Sequence, residues 1–124
     1  PLTCSTYSRA NILQFLQQFI HQAVLISMHN EQSCCKIEPI TDGLRLQADL
    51  KLPALGAEET VVFETNDPQV WVAEAQSSRQ GAVLSATTDL VLPSGAPFTL
   101  DRSDVTITVL AEGKAVEYNG CAAP

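Results

Sequence analysis

The chain has 124 residues, 45% of them hydrophobic, and its 7 basic and 14 acidic residues leave a net charge of −7. This length fits one domain, and the apolar content argues against intrinsic disorder. The basic residues are scattered singly, so unspecific attraction to nucleic acid or to anionic lipid is disfavoured. The acidic residues are scattered too, which is typical of a solvated surface.

A single long helix is predicted over residues 8–28. Residues of one helical face recur at the i, i+3, i+4 and i+7 positions, and they are Ile12, Leu16, Phe19, Ile20, Ala23, Val24 and Ser27. No charge interrupts the sequence between Arg9 and Glu31. Such a helix would be about 30 Å long. We expect the following sheet to cover one of its faces and a neighbouring molecule to cover another.

Strands are predicted along the rest of the chain. Strict alternation of Leu44, Leu46, Ala48, Leu50 and Leu52 with polar residues makes 44–52 the clearest half-buried strand. The other predicted strands are 34–40, 60–65, 70–75, 82–92, 104–110 and 114–118, with 76–81 as a turn or loop. The predicted fold is therefore α+β, a long N-terminal helix (1–30) on an antiparallel β-meander (34–118) with a short tail (119–124), in one domain spanning 1–124.

Four cysteines, Cys4, Cys34, Cys35 and Cys121, allow three full disulfide pairings. Cys34 and Cys35 are neighbours that would point to opposite faces of a strand, so a bond between them would be strained. A bond from one of them to Cys121 is favoured, and we name Cys35–Cys121 as the candidate. That bond would indicate an oxidising compartment. The alternative is four reduced, buried thiols in a cytosolic protein.

Signals for catalysis or metal binding are weak. The sequence has no nucleophile elbow, no phosphate-binding glycine loop and no zinc pattern. A thiol–imidazole pair of Cys34 or Cys35 with His21 or His29 is conceivable, but a disulfide cysteine and a surface histidine explain the same residues better. Trp71 is interpreted as core or edge packing. We predict no enzyme activity, no cofactor, no metal and no small-molecule substrate.

The opening residues resemble the type IV pilins and the type II secretion pseudopilins. Pro1-Leu2, Tyr7 and the pair Arg9-Ala10 look like the junction at which the membrane-spanning half of the pilin helix passes into its amphipathic half. The segment 22–27 leading to a strand at Cys35 is similar to minor pilins and pseudopilins of the H type. The resemblance implies a headpiece that has lost a membrane-spanning half-helix ahead of Pro1, which also fits a chain that begins without methionine.

A filament subunit is the function that this resemblance implies. Such a subunit joins other pilin or pseudopilin subunits at the bacterial inner membrane, and its headpiece is periplasmic or part of an extracellular pilus. The packing surface would be Phe15, Leu16, Phe19 and Ile20. Two alternatives stay open: a periplasmic or secreted module in which helix and sheet bind a small apolar ligand, and a DNA-binding competence pilin, which the net charge of −7 disfavours.

Overall fold

The computed structural model describes residues 25–28, as a strand, and residues 33–124. In this part of the chain nine strands are present, and the one helical element is a short 3-10 turn at Arg102–Asp104. The strands are β1 (Leu25–Met28), β2 (Ser33–Ile40), β3 (Gly43–Lys51), β4 (Thr60–Glu64), β5 (Trp71–Val72), β6 (Gln76–Gln80), β7 (Val83–Val91), β8 (Thr106–Ala111) and β9 (Lys114–Asn119).

The nine strands form two sheets. One has the order β1-β9-β8-β4, and the other has the order β2-β3-β7-β5 with β6 also paired to β7. The pair β1–β9 is parallel, and the other pairs are antiparallel. Three hairpins (β2–β3, β6–β7 and β8–β9) join neighbours in sequence, whereas β3–β7 and β4–β8 join strands far apart in the chain.

One hydrophobic core lies between the two sheets. Strands β3 and β7 bury every second residue, and in their register Leu46, Ala48 and Leu50 lie opposite Thr88, Ala86 and Leu84. The other sheet contributes buried side chains from β4, β8 and β9 to the same cluster, namely Val61, Phe63, Ile107, Val109, Val116 and Tyr118. Each fully buried aliphatic side chain contributes roughly 1.5–3 kcal/mol to folding. The molecule is therefore a β-sandwich.

The predicted fold, a long helix on an antiparallel meander, is wrong. Residues 25–28, assigned to the end of that helix, form strand β1, which pairs with β9 so that Leu25 lies opposite Ala115 and Met28 opposite Tyr118. A short apolar run fits a buried strand as well as a helix, and here pairing with β9 decided between them. Residues 8–24, with the proposed packing surface Phe15, Leu16, Phe19 and Ile20, lie outside the described residues.

Each of the seven strands predicted after residue 33 is present, although 70–75 shortens to Trp71–Val72. The loop predicted at 76–81 is wrong, because Gln76–Gln80 forms strand β6. All five residues of this edge strand are polar, and its backbone pairing with β7 holds it in the sheet. Gly81, with φ of 61°, begins the two-residue hairpin loop at a position where such turns favour glycine.

Across residues 25–28 and 33–124, no helix has the length and hydrophobicity needed to cross a lipid bilayer.

Candidate functional site

A disulfide joins the two sheets where the chain ends. Cys35 on β2 is bonded to Cys121, just beyond β9; their Cα atoms are 5.6 Å apart, and the two residues are 86 positions apart in sequence. This is the pair named from the sequence. Cys35 is fully buried and Cys121 is 2% exposed, so solvent does not reach the bond. From inside the core, the bond connects strand β2 of one sheet to the segment that follows strand β9 of the other.

Backbone and side-chain hydrogen bonds surround this disulfide. The N–H of Ala122 donates to Ser33 O at 2.8 Å, and the N–H of Cys35 donates to Ala122 O at 2.9 Å. The buried hydroxyl of Ser33 donates to Gly120 O at 2.9 Å. The segment predicted as a tail thus pairs with the edge of β2. We call residues 33–35 and 120–122 the disulfide corner.

Cys34 lies on the other face of β2, and it too is disulfide-bonded. Its register partner is Asp49, on the outer face of the sheet, while the partner of Cys35 is Ala48 in the core. Cys34 is nevertheless only 3% exposed. No cysteine in the described part of the chain is a free thiol, so the thiol of the conceivable thiol–imidazole pair is not available there. His21 and His29 lie outside the described residues.

The 3-10 turn at Arg102–Asp104 packs against the disulfide corner. Arg102 Nε donates to Cys35 O at 3.2 Å, and Arg102 O accepts from the N–H of Cys121 at 3.2 Å. Asp101 caps the turn by accepting from the N–H of Ser103 at 3.0 Å and from its hydroxyl at 2.8 Å. The turn is therefore fixed to the corner through Arg102.

The other side of this turn faces a cleft at one end of the sandwich. The loop between β4 and β5 and the loop between β7 and β8 enclose a cavity of about 390 Å³. We call it the loop cleft, and its lining residues are Thr65, Asn66, Asp67, Pro68, Val70, Phe98, Thr99, Leu100, Asp101 and Asp104.

The loop cleft has an apolar base. Val70 is buried and belongs to the hydrophobic core, and the half-buried Phe98 and Leu100 pack against that core. Pro68, also part of the lining, is exposed. Apolar side chains that are only partly covered leave surface for an apolar group of a ligand.

Polar groups make up the rest of the lining and connect the two loops. Asn66 Nδ2 donates to Asp104 Oδ1 at 2.8 Å across the cleft, between residues 38 positions apart. Asp67 Oδ1 accepts from the N–H of Gln69 at 2.9 Å and thereby closes its own loop. The backbone N–H and then the hydroxyl of Ser103 lower the pKa of Asp101. Asp101 is therefore negatively charged throughout the neutral pH range.

The described lining of the cleft combines an apolar base with polar and acidic groups. Among the described residues no group of three or more His, Cys, Asp or Glu side chains is arranged to hold a metal ion. None of the three aspartates in the lining was singled out from the sequence as a candidate site residue. No sequence signal marks the site, because it depends on the pairing of Glu64 with Thr106, which brings the ends of β4 and β8 together.

Trp71, interpreted from the sequence as core or edge packing, lies on the short edge strand β5 opposite Val91. Its side chain is 63% exposed. Trp71 therefore does not pack in the core, and most of its indole surface faces solvent from the edge of the sheet. The neighbouring Val70 is buried, so the two residues have opposite environments.

No protein-family model matches the chain, and no curated protein sequence matches it either. Among solved structures, the chain is similar to the N-terminal periplasmic domain of ScsB from Proteus mirabilis, with a TM-score of 0.56 and 12% sequence identity. The match covers 93% of this chain and 45% of that one, so the chain spans less than half of the structure it resembles. At this identity the likeness concerns the fold.

Proposed function

We propose that this chain is a non-catalytic recognition domain that works outside the cytoplasm and binds a segment of another protein in the loop cleft. The single observation that carries the proposal is the cleft itself, in which an apolar base is surrounded by fixed polar groups. Protein-binding surfaces combine an apolar centre with a polar rim in the same way. A volume of about 390 Å³ also lies within the usual range of binding pockets.

The cysteines support an oxidising compartment. Cys34, Cys35 and Cys121 are all in disulfides, and such bonds persist in secreted and periplasmic proteins but are rare in the cytosol. The structural neighbour from Proteus mirabilis is described as a periplasmic domain. We therefore propose a periplasmic location for this chain as well.

Peptide selection with a cleft-filling variant tests this function. A random peptide display library is selected on the oxidised wild-type chain, and the recovered peptides are synthesised and titrated by calorimetry. Thr99→Trp places an indole in the cleft from an exposed position, and Ser78→Trp places the same side chain on the exposed strand β6 as the matched control. We expect Thr99→Trp to weaken binding at least tenfold and Ser78→Trp to leave it unchanged. Peptides that bind Thr99→Trp as well as wild type, or a selection that yields no binder, would overturn the proposal.

The filament-subunit function implied by the pilin resemblance stays a prediction. Its packing residues, Phe15, Leu16, Phe19 and Ile20, lie outside the described residues. Strand β1 occupies Leu25–Met28, where that function needs helix. The described residues offer no observation that favours this function over recognition in the cleft.

A further inference from the structure

We infer that the segment bound in the loop cleft is a cationic peptide, with an apolar side chain for the base of the cleft and lysine or arginine residues beside it. This inference rests on the proposed function and specifies the class of partner. It combines two features of the same cavity, the apolar base and the sign of the charge around it.

The charge around the cleft is of one sign. Asp67, Asp101 and Asp104 line it, and none of the described lining residues is basic. Arg102, in the same turn, donates from Nε to Cys35 O on the side of the disulfide corner. The whole chain, at a net charge of −7, adds to the attraction for a positively charged partner.

Four basic side chains elsewhere in the described residues are engaged with other groups. Lys36 pairs with Glu38 at 2.8 Å, and Arg45 pairs with Asp89 at 2.9 Å. Arg79 binds Glu59, with 2.5 Å between Nη2 and Oε2. Lys114 Nζ donates to Leu55 O at 3.3 Å. These contacts hold four of the protein's cations at positions that do not line the cleft, so the carboxylates there keep their charge for an external ligand.

Each cleft carboxylate has an oxygen left for such a ligand. Asp67, Asp101 and Asp104 use Oδ1 to accept hydrogen bonds from Gln69, Ser103 and Asn66, respectively. Their Oδ2 atoms accept no hydrogen bond from any described residue. The bonds at Oδ1 fix each side chain, and an ammonium or guanidinium group is the donor that a second carboxylate oxygen binds most strongly. Asp101 stays ionised because Ser103 lowers its pKa.

A matched set of three synthetic peptides tests the inference on the full oxidised chain. Each has the same Leu-Phe-Leu centre, flanked on both sides by three lysines, three glutamines or three glutamates, with both ends blocked. Affinities are measured by fluorescence anisotropy at low and high salt. We expect the lysine peptide to bind at least tenfold more tightly than the glutamine peptide, the glutamate peptide to bind most weakly, and the lysine affinity to fall with salt.

Two triple variants show whether the charge acts in the cleft. The first changes Asp67, Asp101 and Asp104 to Asn, and the isosteric amides can still accept at Oδ1. The second changes three exposed acids outside the cleft, by Asp42→Asn, Glu58→Gln and Glu112→Gln, and alters the net charge equally. We expect the cleft variant to lose the preference for the lysine peptide, because each carboxylate should raise the affinity for that peptide about three- to fivefold. The control variant should keep the preference.

Failure of the inference and failure of the proposed function give different results. If wild type binds the three peptides equally and Thr99→Trp blocks all of this binding, the inference of a cationic partner is wrong. The proposed function of the cleft in recognition then still holds. Equal weakening in the two triple variants also overturns the inference, because net charge alone would then explain the preference. Binding that Thr99→Trp does not alter overturns both. If the cleft variant does not fold, the peptide series and the salt dependence on wild type decide alone.

Discussion

The disulfide corner and the loop cleft are neighbouring regions held together by different forces. The corner is buried, with a covalent bond at its centre and backbone pairing of Ala122 with β2 around it. The cleft lies among exposed loop residues, and the bond across it is a single hydrogen bond between the side chains of Asn66 and Asp104. The corner is built for stability, whereas the cleft keeps polar atoms exposed to solvent, where a ligand can reach them.

The 3-10 turn belongs to both regions. Arg102 binds Cys35 and Cys121 in the corner, while Asp101 and Asp104, on either side of it, line the cleft. A recognition surface on a mobile loop loses affinity because the loop must be ordered on binding. Here the bonds from Arg102 to the disulfide corner hold the turn in place. The loop that carries Asp101 and Asp104 is therefore ordered before any ligand binds.

Removing the disulfide gives the largest expected effect. The double variant Cys35→Ala/Cys121→Ala removes the cross-link between two residues 86 positions apart, so the unfolded chain gains conformational entropy. We expect the free energy of unfolding to fall by about 4 kcal/mol, as measured by urea denaturation. The triple variant with Asn in the cleft serves as the control and should lose less than about 1 kcal/mol. Comparable losses in the two proteins would contradict the division into a stabilising corner and a binding cleft.

The next effect comes from the residue that joins the two regions. Arg102→Ala removes the hydrogen bond to Cys35 O, and we expect it to lower the free energy of unfolding by about 1–2 kcal/mol. It should also weaken binding of the lysine peptide, because the turn that carries Asp101 and Asp104 loses an anchor. Lys36→Ala, which removes an exposed positive charge, is the control for net charge. Unchanged peptide affinity in Arg102→Ala would show that the corner does not order the cleft.

A smaller effect on stability is expected from Asn66→Ala, which breaks the bond to Asp104 across the cleft. Because the bond is exposed, the free energy of unfolding should change by only about 0.5 kcal/mol. Peptide affinity should nevertheless fall severalfold, since the two loops are no longer tied together. Calorimetry and urea denaturation measure the two quantities, and Asn119→Ala on β9 is the control. A loss of stability without a loss of affinity would reverse the roles assigned to the two regions.

The smallest effect is the pH dependence of folding stability that comes from Asp101, the carboxylate that caps the 3-10 turn. The pKa of Asp101 is lower in the folded chain than its ordinary value of about 3.9 in the unfolded chain. Its ionised form therefore stabilises the fold above about pH 4, and this contribution is lost as the pH falls through the folded pKa. Thermal unfolding of wild type and Asp101→Asn between pH 7 and acid should show a difference that disappears at low pH. A difference that grows towards acid would contradict this sign.

Sequence pattern predicted the strands that have one buried and one solvated face. The alternation from Leu44 to Leu52 indicates a period of two, and β3 buries every second residue. The same reasoning missed β6, where five residues, Gln76–Gln80, have no apolar alternation. It also assigned Leu25–Met28 to a helix, because a pattern within one segment does not contain the strand with which that segment pairs.

The candidate site was beyond prediction for a similar reason. Asn66 reads as an ordinary loop residue and Asp104 as the first residue of the strand predicted over 104–110, and their contact spans 38 positions. The contact exists because β4 pairs with β8 across the sheet, a long-range connection that neither local sequence encodes. The cysteines are different, because adjacent residues on a strand must face opposite sides. That rule separated Cys34 from Cys35 before any tertiary contact was known.

The two adjacent cysteines offer two possible disulfide partners for Cys121, and the fold accepts one of them. Cys35 faces the core and Cys34 the opposite side of β2, so a Cys34–Cys121 bond in the same place would need β2 to move by one residue relative to β3. Such a slip of register turns all the side chains of the strand to the opposite face, so Ile37 would leave the core and Lys36 would enter it. The mispaired isomer cannot coexist with the packed sandwich. The packing of the core is therefore compatible with the Cys35–Cys121 bond and not with the alternative.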